Sequence, residues 1–325
     1  MKAYSFSRYG GPEVLSLEEI PTPSVRPGEV LVRVAAAGVN PSDLKNLSGR
    51  FRTRLPRIPG RDFAGVIVEG AGREGEEVWG SGPGFGVGRD GAFSEYLRLP
   101  SSWVTRKPAS LSMAEAAAVG VPYLTAGWAL FRAGNLLPAE TLLVTGAAGA
   151  VGRAAIQIGR WRQAWILAVS RSATALPGAD VVIPADREDW PRRVLCWTGG
   201  RGVDLALDTI GGPFCELCLR SLRPGGRQIA VASNPSVVCF DLVDFYHGSK
   251  TLIGVDSLGP SGEQIAGMLE ELRSGFEKGR LEPPAVHPWP FSAAREALSA
   301  AAEEPGKKQV LLFPPSHDGS GFASG

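Results

Sequence analysis

Leu142-Leu-Val-Thr-Gly-Ala-Ala-Gly-Ala-Val-Gly152, running on into Arg153-Ala-Ala-Ile-Gln-Ile-Gly159, decides the fold. The apolar run over 141–145 reads as a buried strand. A glycine-rich turn follows, and then a helix over 153–163. Strand, turn and helix in this order open a parallel α/β sheet. The chemistry lies in the turn. A chain without Cβ atoms lets backbone N–H groups come close to a pyrophosphate at the helix N-terminus, where the helix dipole favours negative charge. Gly146, Ala148, Gly149, Ala150, Val151 and Gly152 are therefore the expected phosphate cradle. The spacing departs from G-x-G-x-x-G because Ala147 takes the first glycine's place. A tight turn with no ligand is the competing reading, and the flanking strand and helix weigh against it.

The end of the next strand, 165–170, selects the nucleotide. A site for NAD places Asp or Glu there to bind the ribose 2′-hydroxyl. This chain has Ser170-Arg171-Ser172 instead. A carboxylate would repel a 2′-phosphate, whereas Arg171 can donate a forked pair to it. Ser170 and Ser172 add hydroxyl donors. NADPH is the expected cofactor, with Arg171 as plain loop charge the alternative. Residues 172–177 are too few for a helix, so the adenine side of the pocket is expected to be open.

Further strands are expected at 181–183, 205–207, 228–232 and 252–255, with helices between several of them. Apolar strands alternating with helices mean a parallel sheet covered on both faces. The first ~120 residues have another grammar: short strands at 30–37, 63–69, 77–79 and 93–99, cut by glycine and proline turns. Two Ala-rich helices are expected next, one over 108–120 and one over 123–133. A helix over 262–275 and a strand over 309–313 close the chain, the strand returning to the β-rich part. The expected division is a β-rich domain at 1–121 and 259–325, with a doubly wound parallel-sheet domain at 122–258.

Composition narrows the function. The 325 residues are 44% hydrophobic and 21% charged, with a formal net charge of +1. That balance predicts no general affinity for nucleic acid or an anionic membrane. Arg50, Arg52, Arg54 and Arg57 are interrupted by Pro56 and lack an aromatic ladder, so they read as a solvated loop. No apolar run approaches the ~20 residues of a membrane span, and the start lacks an apolar signal core. The expectation is a cytoplasmic protein with a frayed Gly/Ser-rich tail over 316–325. Cys196, Cys215, Cys218 and Cys239 are too few for a disulfide framework, and Cys215-x-x-Cys218 reads as buried packing.

Several segments together resemble the zinc-free medium-chain quinone oxidoreductases, the ζ-crystallin-like family. They are Gly146-Ala-Ala-Gly-Ala-Val-Gly152, Gly38-Val-Asn-Pro-Ser-Asp43, Pro59-Gly-Arg-Asp-Phe-Ala-Gly65, Leu124-Thr-Ala126, Asp208-Thr-Ile-Gly211 and Arg223-Pro-Gly-Gly226. The resemblance implies a GroES-like β-rich catalytic domain plus a Rossmann domain, with the site in the cleft between them. It implies NADPH, and cofactor contacts near Asn40, Pro41, Thr125, Thr209, Ile210, Ala232, Ser233, Val255 and Lys308. It also implies a homodimer that pairs the final Rossmann strand, 251–255.

The same comparison argues against zinc. Zinc-dependent relatives need a Cys and a His-Glu pair, and this chain has Asn40 and Arg61-Asp62 there. A guanidinium is not a metal ligand, and catalytic zinc needs three protein ligands and an open position. Without a Lewis acid, reduction of an electron-poor quinone or enone is the accessible chemistry, because donors can hold charge that spreads onto oxygen. The expected substrate is a small apolar electrophile. Some relatives carry cleft tyrosines where this chain has Lys45 and Phe51. Asn40 and Thr125 are the leading cleft residues, with Lys45 and Tyr123 as candidate donors and Asp43 as a helix cap. Phe51, Trp128, Phe245, Tyr246 and Leu258 are candidate walls, and His247 a less favoured base. An enoyl-thioester reductase, entered past the 50–57 arginines, and a non-catalytic NADPH sensor are the alternatives.

Overall fold

A computed structural model describes residues 1–82, 84–171, 175–185, 189–303 and 306–314. Ser172, expected at the 2′-phosphate, and the tail 316–325, expected to be frayed, lie outside the described residues. The chain begins with β1 (Lys2–Ser5), β2 (Ser16–Glu19), β3 (Glu29–Gly38), α1 (Pro41–Leu47), β4 (Asp62–Glu69), β5 (Glu77–Ser81), β6 (Tyr96–Pro100), β7 (Thr105–Arg106) and α2 (Met113–Gly127). It continues with β8 (Thr141–Thr145), α3 (Ala150–Trp161), β9 (Trp165–Ser170), β10 (Val181–Pro184), α4 (Trp190–Trp197), β11 (Val203–Asp208), α5 (Pro213–Ser221) and β12 (Leu222–Ala230). It ends with α6 (Leu242–His247), β13 (Thr251–Gly254), α7 (Gly262–Glu277), β14 (Val286–Pro290), α8 (Ala294–Glu303) and β15 (Lys308–Leu312).

The glycine-rich turn stands at the head of a six-stranded sheet ordered β10-β9-β8-β11-β12-β13, parallel throughout. Leu142, Leu143 and Val144 are wholly buried, as a central strand covered on both faces requires. Strand order reverses between β8 and β11, and ligands of such sheets bind beyond the carboxyl ends of the strands at this switch point. The turn after β8 lies there.

A second sheet is mainly antiparallel and ordered β14-β15-β3-β4-β5-β7, with β6 also pairing on β3. The closing strand does return: β15 pairs antiparallel with β3, Val310 opposite Gly38. The GroES-like plus Rossmann architecture is present.

Two expectations are corrected. The strand expected at 93–99 begins at Tyr96. The two Ala-rich helices are one. Helix α2 runs through Pro122, crosses the expected boundary at 121/122, and continues as a π-helical turn over Trp128–Ala133. Proline removes an N–H and normally kinks a helix. Here the Asp62 carboxylate accepts from the Val121 N–H at 3.0 Å, supplying a partner beside the proline. The sequence shows the proline but not a carboxylate arriving from another strand.

That contact leaves no spare room. A Cβ on Gly120 would lie 2.2 Å from Asp62 Oδ1. Gly120→Ala is expected to cost about 1–3 kcal/mol, as overpacking does. Gly267→Ala, on the exposed face of α7 with nothing within 4 Å of the added atom, should gain about 0.5–1 kcal/mol. Urea unfolding of the two variants beside the parent checks both signs.

Candidate functional site

A cavity of about 1080 Å³ opens between the two sheets. Its Rossmann wall contains the turn after β8. Gly146 has φ +58, and a Cβ there would sit 2.4 Å from Thr209 Oγ1. A Cβ at Gly152 would sit 2.4 Å from the Gly146 carbonyl oxygen. Both positions demand glycine. Helix α3 opens on Gly149, which supplies no side-chain cap to the first-turn N–H groups. Such groups need an acceptor from elsewhere, and a pyrophosphate provides one. This glycine-lined, uncapped helix start fits a nicotinamide dinucleotide.

The neighbouring loop is held by its own hydrogen bonds. Thr145 Oγ1 donates to Asp208 Oδ1 at 2.7 Å, and the same oxygen accepts from the N–H groups of Ile210 and Gly211 at 3.1 and 3.0 Å. Thr209 Oγ1 donates to the Thr145 carbonyl at 2.8 Å. Thr209 is thereby fixed on the cleft wall beside the switch point. Ser233 Oγ accepts from the Gly212 N–H at 3.2 Å, bracing the same loop.

The opposite wall is a buried polar cluster. Asp62 begins β4 and has no exposed surface. Its carboxylate accepts from Asn40 Nδ2 at 2.9 Å, Ser81 Oγ at 2.5 Å and the Val121 N–H at 3.0 Å. Lys308 Nζ lies 3.5 Å from it and donates to Asn40 Oδ1. Asn40 caps α1, and its own N–H donates to Asp43 Oδ2 at 2.8 Å. Beside them Arg61, 4% exposed, donates through its terminal nitrogens to Ser257 beyond β13, at 3.0 Å to the carbonyl and 3.4–3.5 Å to Oγ. Burial pushes Asp43 up to about 7, with Asp62 adding to the rise and the Asn40 N–H, Arg61 and Lys308 opposing it. Burial also lowers Lys308, against the pull of Asp62 and Asp43.

Several expected site residues meet on this cleft. Asn40, Pro41, Lys45, Tyr123 and Thr125 line it, as do Gly149, Ala150, Val151, Gly152, Thr209, Ala232 and Lys308. Others stand behind or beyond its wall. Gly146 and Ala148 belong to the turn and do not line the cleft. Ser170 is buried at the end of β9, and Arg171 is exposed immediately after it. Ile210 is 37% exposed, and Val255 packs against the core. Tyr123 reaches the cleft as wall: its hydroxyl donates to the Glu282 carbonyl, its ring packs 5.2 Å from Phe276, and burial raises its pKa. Asp43 takes part in capping α1, as expected, by accepting from the N–H of the cap residue Asn40, and it is also buried in the charged cluster.

The aromatic walls need correction. Only Trp128 of the five candidates borders a described cavity, a small one shared with Arg61, Thr125 and Ser257. Phe245 packs against Phe240 at 5.3 Å, Tyr246 is 56% exposed, and neither Phe51 nor Leu258 reaches the cleft. These side chains sit in loops and a short helix whose facing no local pattern fixes. The His247 ring lies tilted against Tyr246, centroids 4.5 Å apart, and does not line the cleft. The 50–57 arginines also miss it, and Arg57 pairs with Asp90 at 2.9 Å. Arg153 and Arg280 are on the wall instead. Cys215 and Cys218 are buried packing in α5, as expected.

Sequence reasoning singled out neither Asp62 nor Arg61 as part of a working site. A usable signal was present: Arg-Asp opening the apolar run Phe63-Ala-Gly-Val-Ile-Val68 places two charges where a strand enters the core. Buried charges require partners.

Family models match two parts of the chain: the alcohol dehydrogenase GroES-like domain over residues 26–109 and the zinc-binding dehydrogenase domain over 150–274. A zinc-type alcohol dehydrogenase-like protein of Schizosaccharomyces pombe is 36% identical over 87% of this chain and 87% of its own. The human quinone oxidoreductase is 30% identical, over 96% of this chain and 98% of its own. The chain belongs to the medium-chain dehydrogenase/reductase family, on its quinone oxidoreductase branch. It is an oxidoreductase that uses a nicotinamide cofactor. A chloroplastic NADPH-dependent alkenal/one oxidoreductase of Arabidopsis thaliana is also similar, 28% identical over 97% of this chain and 80% of its own. In this member of the family, among the described residues, no three His, Cys, Asp or Glu side chains are grouped to hold a metal ion. No helix among them is long and apolar enough to cross a membrane.

The charged cluster predicts a pH dependence. Folded Asp43 binds its proton more tightly than the unfolded chain does. Its contribution to stability is therefore complete below the ordinary carboxylate value of 3.8 and is lost as pH rises through about 7. Asp43→Asn keeps an oxygen for the Asn40 N–H and removes the titration. Unfolding free energies from urea titrations between pH 4 and 8 should fall with rising pH in the parent, by up to about 4 kcal/mol. They should be flatter in the variant.

Proposed function

We propose that the chain is an NADPH-dependent reductase that passes hydride to a small apolar quinone or enone without a metal. One observation carries the reading. The cleft wall facing the glycine cradle is built from Asn40, Asp62 and Lys308, joined to one another, with Arg61 beside them on Ser257, and this wall offers no set of free lone pairs for a cation. A conjugated acceptor suits such a wall, because its charge after reduction rests on oxygen, where N–H donors can hold it.

When bound, the reduced nicotinamide supplies hydride. The protein's share is binding and placement. The first turn of α3 would hold the pyrophosphate, and Thr209 and Ala232 line the same groove. Asn40 is locked by Asp62 and Lys308, so it presents a fixed edge to the cleft. Thr125 adds a hydroxyl from α2. Lys45 stands exposed at the mouth and favours anionic groups there. Tyr123 is wall. The name of the alkenal/one relative and the forked donor at Arg171 support NADPH over NADH. Arg153 and Arg280 on the cleft wall favour testing an enoyl thioester, whose carrier bears phosphate.

The edge of the Rossmann sheet supports a homodimer. Among the described residues strand β13 has no partner on its outer side, Leu252 is 37% exposed, and Leu242 and Val243 of α6 are 63% and 54% exposed. An unpaired edge beside an apolar patch invites pairing with a second copy.

Three experiments test these readings. Fluorescence titration should show NADPH binding more tightly than NADH, and Arg171→Ala should weaken NADPH about 10- to 100-fold while sparing NADH. NADPH oxidation with 1,4-benzoquinone, methyl vinyl ketone and crotonyl-CoA then identifies the acceptor class; binding without turnover of any acceptor favours a sensor. Light scattering after size exclusion should give a dimer for the parent and a monomer for Leu252→Arg; a monomeric parent rejects the edge pairing.

A further inference from the structure

Arg61 is an unusual residue to bury. Five N–H donors converge on a guanidinium, and only its terminal nitrogens have partners, both on Ser257. Its Nε is buried and unpartnered. Among the described residues no carboxylate lies within ion-pair distance of it. Asp62 is committed to Asn40, Ser81, Val121 and Lys308, and Asp43 to the Asn40 N–H. A buried cation lacking a counter-anion is costly. A purely structural clamp between Arg61 and Ser257 needs no charge, because both contacts on Ser257 are neutral oxygens. The guanidinium also borders two spaces at once, the main cleft and the small cavity with Thr125 and Trp128.

We propose that Arg61 is a catalytic residue that receives the acceptor's oxygen and stabilises the negative charge formed on it during reduction. This rests on the reductase reading above. The step balances as follows. Hydride forms a new C–H bond at the β-carbon of the enone, and the C=C π bond breaks. Its electron pair moves into the bond toward the carbonyl carbon, and the carbonyl π pair moves onto oxygen. The acceptor is reduced by two electrons and the nicotinamide is oxidised. The enolate oxygen accepts from the Arg61 N–H groups, and water then protonates the α-carbon. In a quinone, the same donors meet the phenolate oxygen. The positive charge thus occupies the role a metal plays elsewhere in the family, on a side chain held from the Rossmann side by Ser257. Specificity follows: acceptors with an oxygen conjugated to the reacting carbon are favoured, and conjugated nitriles are poor.

The test uses the full-length protein saturated with NADP⁺ and one probe, 4-nitrophenol, a small aromatic whose absorbance reports its own ionisation. A fixed cation at the acceptor's oxygen lowers the pH at which the bound probe ionises. Arg61→Met should raise that pH by about one to three units relative to the parent. In turnover with methyl vinyl ketone, Arg61→Met should lose about 10²- to 10³-fold in kcat, with NADPH affinity within about twofold. Arg61→Lys should recover part of the loss, because it restores charge without the fork. Arg61→Gln repeats the comparison if the methionine variant does not fold. Unchanged probe ionisation on removing the charge overturns the proposal, as does a kcat loss matched by an equal loss of NADPH affinity. If no acceptor is turned over, the reductase reading fails, and the probe titration alone still decides whether Arg61 holds an oxyanion.

Discussion

The buried carboxylate of Asp62 is the contact on which most of this molecule depends. It accepts from α1 through Asn40, from β5 through Ser81 and from the α2 backbone at Val121, and it faces β15 through Lys308. Four elements far apart in sequence are thus referred to one pair of oxygens on β4. A buried carboxylate without such partners would cost several kcal/mol. With them it specifies where each element stops. The proline in α2 is tolerated because of it, and Gly120 is required because of it.

The arrangement also sets the electrostatics of the cleft. Lys308 faces the Asp62 carboxylate, Arg61 stands beside them with no carboxylate partner, and burial pushes Asp43 toward its neutral form. The wall opposite the glycine cradle is therefore biased positive. The cradle's helix start is positive too, through its dipole. A dinucleotide with its phosphates, and an acceptor that gains negative charge, both suit a groove of that sign.

Much of this was legible in the sequence, and the reasons for success and failure are physical. The strand before Gly146 and the helix after it are local matters of apolar run length and helix periodicity, so residues 141–163 read correctly. Asn40, Pro41 and Thr125 reach the cleft as the family resemblance implied. The break placed before Tyr123 was wrong because the compensating carboxylate lies about 60 positions upstream. Phe51, Phe245, Tyr246 and Leu258 misled because apolar character says that a residue seeks burial, not which cavity it meets. Arg61 was read only as a residue unable to bind metal. Its burial and its contact with Ser257, nearly 200 positions on, emerge only when the two sheets are placed together.

The return of β15 to the first sheet has a consequence for how the chain is made. During synthesis β3, β4 and β6 emerge early, but the Ala36–Gly38 end of β3 lacks its second neighbour until β15 leaves the ribosome, some 270 residues later. Over that interval Asp62 also lacks the ammonium of Lys308. The nucleotide-binding half, whose strands are contiguous from β8 to β13, can assemble while the first half is still incomplete. The β-rich domain begins first and finishes last, so an exposed edge must be kept from pairing with a stranger until the final strand arrives.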